Sequence, residues 1–206
     1  MRTTYSTTDS ALILVDVLND FLAPDGKLAG VIGPMIEKLQ LKRNLQRLLD
    51  GARHARLQTI YAPHGADEHS FDGIPYIHPR FQFGLDNKVF WTGTHGADFY
   101  EPLRPREGDI VVGRHHMFDS FNGTGLEERL RAQRIKKVIL AGLTSQTCIE
   151  GTGRHALEAG FHVTFLTDAV SEFTDAAHRA AIEISYPTFG HEVTTVDEFL
   201  RAIESG

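Results

Sequence analysis

Residues 136–169 read as one unit: the apolar run "KKVILAGL", the helix-length stretch "TCIEGTGRHALEAG" closing on Gly160, and a second apolar run, "HVTFLTDA". Short continuous runs rich in Ile, Val and Leu are the pattern of strands buried on both faces. A strand, a helix and a strand in that order close as a right-handed crossover between parallel strands. The pattern recurs along the chain. "ALILVDV" (11–17), "LQTIYA" (57–62), "DIVVGR" (109–114) and "HEVTTV" (191–196) are further strands. Helices are expected from about Pro34 to Arg56, with Pro34 in the first turn, and over 125–134, 175–186 and the "DEFLRAIES" segment. The chain is therefore an α/β protein, a parallel sheet with helices on both faces.

One stretch breaks this regularity. Residues 63–107 hold five prolines and eight aromatics with no sustained period. A connection that long inside a compact domain is uncommon and often functional.

In parallel sheets, ligands bind beyond the carboxyl ends of the strands, where the strand order reverses. That rule selects Asp16 at the end of the first strand, Arg114 and His115 after the third, and Thr144 to Cys148 after the fourth. Asp16 is a lone carboxylate in an otherwise apolar strand, and such a group needs a partner or a shifted pKa. Cys148, the sole cysteine, has two readings. It is a small packed hydrophobe, or a nucleophile whose pKa is lowered by the N-terminal N–H groups of the following helix. "HGADEH" (His64, Asp67, His69) has the residue types of a metal cluster, but such short runs are frequent by chance, and no metal or cofactor is assigned. "GTGRHALEAG" matches no phosphate-binding loop.

At 206 residues the chain fits a single domain, 1–206. Lys and Arg are scattered and the net charge is −6, so neither nucleic acid nor a membrane surface is an expected partner. A lone cysteine cannot form an intrachain disulfide, which points to a reducing compartment. The first residues lack a secretory signal pattern, and no apolar run reaches the ~20 residues of a membrane span, so the expected location is the cytoplasm.

"ALILVDVLNDF" (11–21), "MFDSFNGTGLEERLR" (117–131) and "KKVILAGLTSQTCIEGTGRHALEAGFHVTFLTDAVSE" (136–172) together resemble the isochorismatase-like cysteine hydrolases. That superfamily includes nicotinamidases, carbamoylsarcosine amidases, ureido and amide hydrolases, and isochorismatases. The resemblance implies a Rossmann-like three-layer α/β/α fold with a parallel sheet of about six strands, commonly a homodimer or homotetramer, acting on a small-molecule substrate. It implies Asp16 as general acid/base and Cys148 as nucleophile. It also implies a cis Leu143–Thr144 peptide that turns the Thr144 and Cys148 N–H groups toward an oxyanion.

The family's third residue, a lysine after the third strand, has no counterpart here, because no lysine lies between Lys88 and Lys136. Ungapped counting from Phe121 lands on His115, and one extra loop residue would place Arg114 there instead. The Asp-x-His metal pattern of nicotinamidases is also incomplete: His64 and His69 align, but Ala62 stands where the aspartate belongs. The implied activity is cleavage of a C–N bond in a small amide or ureide through a Cys148 thioester. Phe21, His64 and Trp91 are expected to wall the substrate pocket. Two rivals are a vinyl ether hydrolase using Asp16 as general acid and a non-catalytic binding domain on the same fold.

Overall fold

The computed structural model describes residues 3–204. Among them six parallel strands form one sheet in the order β3-β2-β1-β4-β5-β6. These are β1 (Ser10–Val15), β2 (Gln58–Ala62), β3 (Ile110–Val111), β4 (Lys137–Leu143), β5 (His162–Ser171) and β6 (Glu192–Thr194). The order reverses between β1 and β4, so the strand ends there open a crevice.

Side chains alternate across this sheet, and both faces are apolar. Leu12, Leu14, Ile139 and Ala141 point into one core, and Ala11, Ile13, Val138 and Leu140 into the other. The first core is covered by α2 (Ala29–Lys38), α3 (Leu41–His54) and α9 (Val196–Glu204). The second lies under α5 (Leu126–Ala132), α6 (Glu150–Glu158) and α8 (Tyr186–Phe189). A short α1 (Asn19–Leu22) follows β1, α4 (Pro79–Asp86) lies in the long connection, and α7 (Asp175–Ala180) follows β5. The three-layer α/β/α fold expected from the sequence is present. No helix among the described residues is long and apolar enough to cross a membrane.

Two local expectations are corrected. The helix expected over Pro34–Arg56 is two helices, broken where Gln40 takes a left-handed φ of 52°. The break is visible as a slip in apolar spacing: Leu39 to Leu41 is two residues, which no helical face can absorb. Pro34 then lies inside α2 rather than at its start. Its missing N–H removes one hydrogen bond, while Ile32, Met35 and Ile36 still bury the inward face.

The long connection is held by polar anchors rather than by a period. Asp20 is buried, and its carboxylate accepts the N–H of Phe90 at 2.6 Å and of Lys27 at 3.1 Å. A Cβ at Gly96 would lie 2.4 Å from that carboxylate, so glycine is required there.

Candidate active site

Asp16 leaves β1 with φ 55°, a left-handed conformation that Asp tolerates better than most residues. The turn brings its carboxylate toward the neighbouring strand ends. β4 approaches closely because Gly142 has no side chain, and a Cβ there would meet the Val15 carbonyl at 1.9 Å. On the other side, β2 and β3 continue past their ends as a bridge between His64 and His115. Asp16 Oδ1 accepts the His64 backbone N–H at 2.6 Å and the His115 Nε2–H at 2.9 Å. Oδ2 has no hydrogen-bond partner among the described residues.

Of the two basic residues after β3, it is His115 that lies against Asp16 and Cys148. Asp16 and His115 are each 1% exposed, and Cys148 is 6% exposed. One ligand-type atom from each of the three lies within 4.8 Å of the other two. The second ring nitrogen of His115, Nδ1, faces the Met117 carbonyl at 2.8 Å. Both ring nitrogens therefore face oxygens that accept hydrogen bonds, an arrangement that favours two ring protons and a positive charge. Electrostatics agrees. Burial pulls the His115 pKa down, but the Asp16 charge and hydrogen bond outweigh it and hold the pKa above the usual imidazole value. Burial likewise pushes Asp16 upward, yet His115 wins and holds that carboxylate below its usual range.

Arg114, the alternative counterpart, does not join this cluster. Its guanidinium donates to the His64 carbonyl at 2.7 Å and the Ala97 carbonyl at 3.0 Å, packed over Gly65. It ties the long connection to the end of β3. Adjacent residues on a strand exit face opposite ways, so only one of the pair could enter the site.

Cys148 lies in the wide turn Ser145–Ile149 between β4 and α6, beyond a cis Leu143–Thr144 peptide. The Thr144 N–H and the Thr147 hydroxyl both point toward its sulfur. A lowered thiol pKa was expected here, and the structure corrects that. Burial first, and the Asp16 charge second, push the Cys148 thiol well above its usual value, overriding these donors. The helix-end effect is a fraction of a charge at a distance, whereas Asp16 is a full charge at close range.

A cavity of about 340 Å³ opens from this cluster. Phe21 and His64 line it as expected. His64 is pushed down to about 3 by burial, so it is neutral. Trp91 does not line the cavity; its neighbour Phe90 does, while Lys88 Nζ lies 5.4 Å over the Trp91 ring. Phe71, Phe81, Phe83, Phe118 and Phe173 add to the walls and were not singled out from the sequence. Phe71, Phe81 and Phe83 belong to the aperiodic stretch 63–107, whose aromatic density is a signal but does not say which ring turns inward.

The residues do not fit a nicotinamidase-type metal site. Ala62 offers no donor, and the His69 ring is exposed and bound to Asp72. Among the described residues, only Asp16, His115 and Cys148 gather three donor types that could hold a cation.

Residues 10–198 match the family model for the isochorismatase domain. The ureidoacrylate amidohydrolase RutB of Variovorax paradoxus is 29% identical over 206 residues, covering 95% of this chain and 81% of the relative. An uncharacterized isochorismatase family protein, PncA, of Bacillus subtilis is 30% identical, covering 89% and 97%. A solved cysteine hydrolase from Pseudomonas syringae pv. phaseolicola superposes with a TM-score of 0.83 at 27% identity, covering 99% and 96%.

Proposed function

Since the chain belongs to the isochorismatase family and is a hydrolase of that family, we propose that it cleaves the C–N bond of a small amide or ureide through a Cys148 thioester. The observation that carries this reading is the burial of the Asp16 carboxylate, the His115 imidazolium and the Cys148 thiol within 4.8 Å of one another. The amidohydrolase activity of the relative RutB accords with it.

The high Cys148 pKa means that the resting nucleophile is a thiol, so its proton must leave as the S–C bond forms. Asp16 takes that proton, and the carbonyl electrons move onto oxygen. The Thr144 and Cys148 N–H groups hold this oxyanion. The oxyanion collapses, the C–N bond breaks, and the leaving nitrogen takes the proton from Asp16. Water then attacks the thioester, giving a proton to Asp16. The second tetrahedral species expels the sulfur, which recovers that proton, and the acid is released. Throughout, His115 supplies the positive charge that keeps Asp16 ionised at rest.

That same ionisation counts against the vinyl ether reading, in which Asp16 must carry a proton before the substrate reacts. The test is rapid acid quench of the enzyme with a turned-over amide, followed by intact-mass analysis. A mass increment equal to the acyl group, mapped to Cys148 and absent from Cys148→Ala, is the expected result. Turnover that persists in Cys148→Ala refutes the covalent route.

A further inference from the structure

Resting on the covalent reading above, we infer that the substrate is a primary carboxamide whose acyl group is apolar, with a single aromatic ring the best fit. Two observations carry this, one for each end of the molecule.

The first concerns the leaving group. In the covalent route the departing nitrogen must reach Asp16. That carboxylate is 1% exposed and is surrounded by the buried His115 and Cys148 and the half-buried His64. A substituent on nitrogen would have to displace one of these packed rings, whereas ammonia needs no more room than the proton transfer itself. The rest of the cavity is therefore left for the acyl side.

The second concerns the walls. Among the described residues seven phenylalanines line the cavity. They include two packed ring pairs, Phe21 with Phe90 at 4.7 Å between ring centres and Phe81 with Phe118 at 4.8 Å. Apart from Asp16, no carboxylate lines it. His116 Nδ1 is already held by the Gly65 carbonyl at 2.6 Å. Arg80 stands exposed at the mouth over the Phe118 ring. Besides Asp16 and Cys148 the polar side chains lining the cavity are His64, Arg80, His116, Thr144 and Thr147, so a polar or charged acyl chain would exchange most of its water for phenylalanine. A flat apolar ring gains burial and edge contacts against these rings.

The experiment measures ammonia release by the intact enzyme from phenylacetamide, 4-methylpentanamide, acetamide, succinamate and N-carbamoylglycine, with N-methylphenylacetamide as the leaving-group control. Phenylacetamide is expected to exceed succinamate and N-carbamoylglycine in kcat/KM by at least about ten-fold, and acetamide by a similar factor. N-methylphenylacetamide is expected to fall about ten-fold or more below phenylacetamide, its product followed as methylamine. Phe81→Gln should narrow the phenylacetamide-to-acetamide ratio about ten-fold. Preference for succinamate or N-carbamoylglycine, in turnover that Cys148→Ala abolishes, overturns the inference and leaves the covalent route standing. An unchanged ratio in Phe81→Gln overturns it too, as does equal turnover of the N-methyl amide. Absence of turnover on every compound, amide and ureide alike, rejects the covalent hydrolase reading itself.

Discussion

The two halves of the site are built by different means. The proposed reacting end, Asp16, His115 and Cys148, follows β1, β3 and β4 of one parallel sheet, with β2 between β3 and β1, each placed by strand register. The binding end comes mostly from the long connection between β2 and β3, where α4 and several irregular turns present phenylalanine rings. The first half is a consequence of the fold and tolerates little variation. The second hangs on a few polar anchors, Asp20 and Arg114 above all, and can change its walls without disturbing the sheet. Chemistry and selectivity are thereby assigned to separable parts of the molecule.

The sharpest way to break that separation is at Cys148. Cys148→Ala removes one buried sulfur next to Ile149 and the sheet, so the melting temperature should move by only a few degrees. Turnover should fall by about a thousand-fold or more, since no other thiol exists in the chain. Comparable losses of stability and activity would show that the cysteine is a packing residue.

The next largest effect is expected at His115. Its pKa lies above the ordinary imidazole value, so its attraction to Asp16 is fully present below about pH 6.5 and fades as pH rises through the folded value. Asp16 behaves oppositely. Its stabilising ionisation is present above the usual carboxylate pKa of 3.8 and is lost as pH falls through its depressed folded value. A bell-shaped kcat/KM profile follows, with an alkaline limb set by His115. His115→Lys should move that limb upward by about two pH units or more, because a lysine keeps its charge longer. His115→Gln should lower kcat/KM about 10- to 100-fold across the range and flatten the limb. An alkaline limb that stays in place in His115→Lys would assign it to another group.

Legibility in the sequence followed the same division. The strands announced themselves as apolar runs, so the parallel sheet and the strand-end positions of Asp16 and Cys148 could be read directly, while the strand order came only from the structure. The choice between Arg114 and His115 could not. Two adjacent residues at a strand exit carry the same counting evidence, and only side-chain direction separates them. The Cys148 pKa was misjudged for a related reason: the helix end is local in sequence, whereas the opposing charge on Asp16 is 132 positions away and close only in space. The sequence points to Trp91 as a wall residue and the structure places Phe90 there instead, because an aperiodic loop gives no phase from which to decide which ring turns inward. The anchor that does decide it, the Asp20 carboxylate on the Phe90 N–H, lies 70 residues earlier.

Arg114 offers the subtlest test of the comparison, because it stands between the two halves without belonging to the reacting cluster. Its guanidinium makes two charged hydrogen bonds to carbonyls of the connection, and each is typically worth about 1.5–3 kcal/mol. The side chain is only partly buried, so water recovers some of that loss, and Arg114→Ala should cost about 1–2 kcal/mol by urea denaturation. If Arg114 only ties down the connection, the walls of the cavity loosen and the reacting groups do not. KM for a bulky amide should then rise several-fold, kcat should change by less than about three-fold, and the pH profile should keep both limbs in place. Arg114→Lys should recover little of the loss, because a single ammonium cannot reach both the His64 and Ala97 carbonyls in the fork geometry of the guanidinium. A drop in kcat of a hundred-fold with KM unchanged would mean that Arg114 acts on the transition state, and the boundary between the two halves would have to be redrawn on its far side.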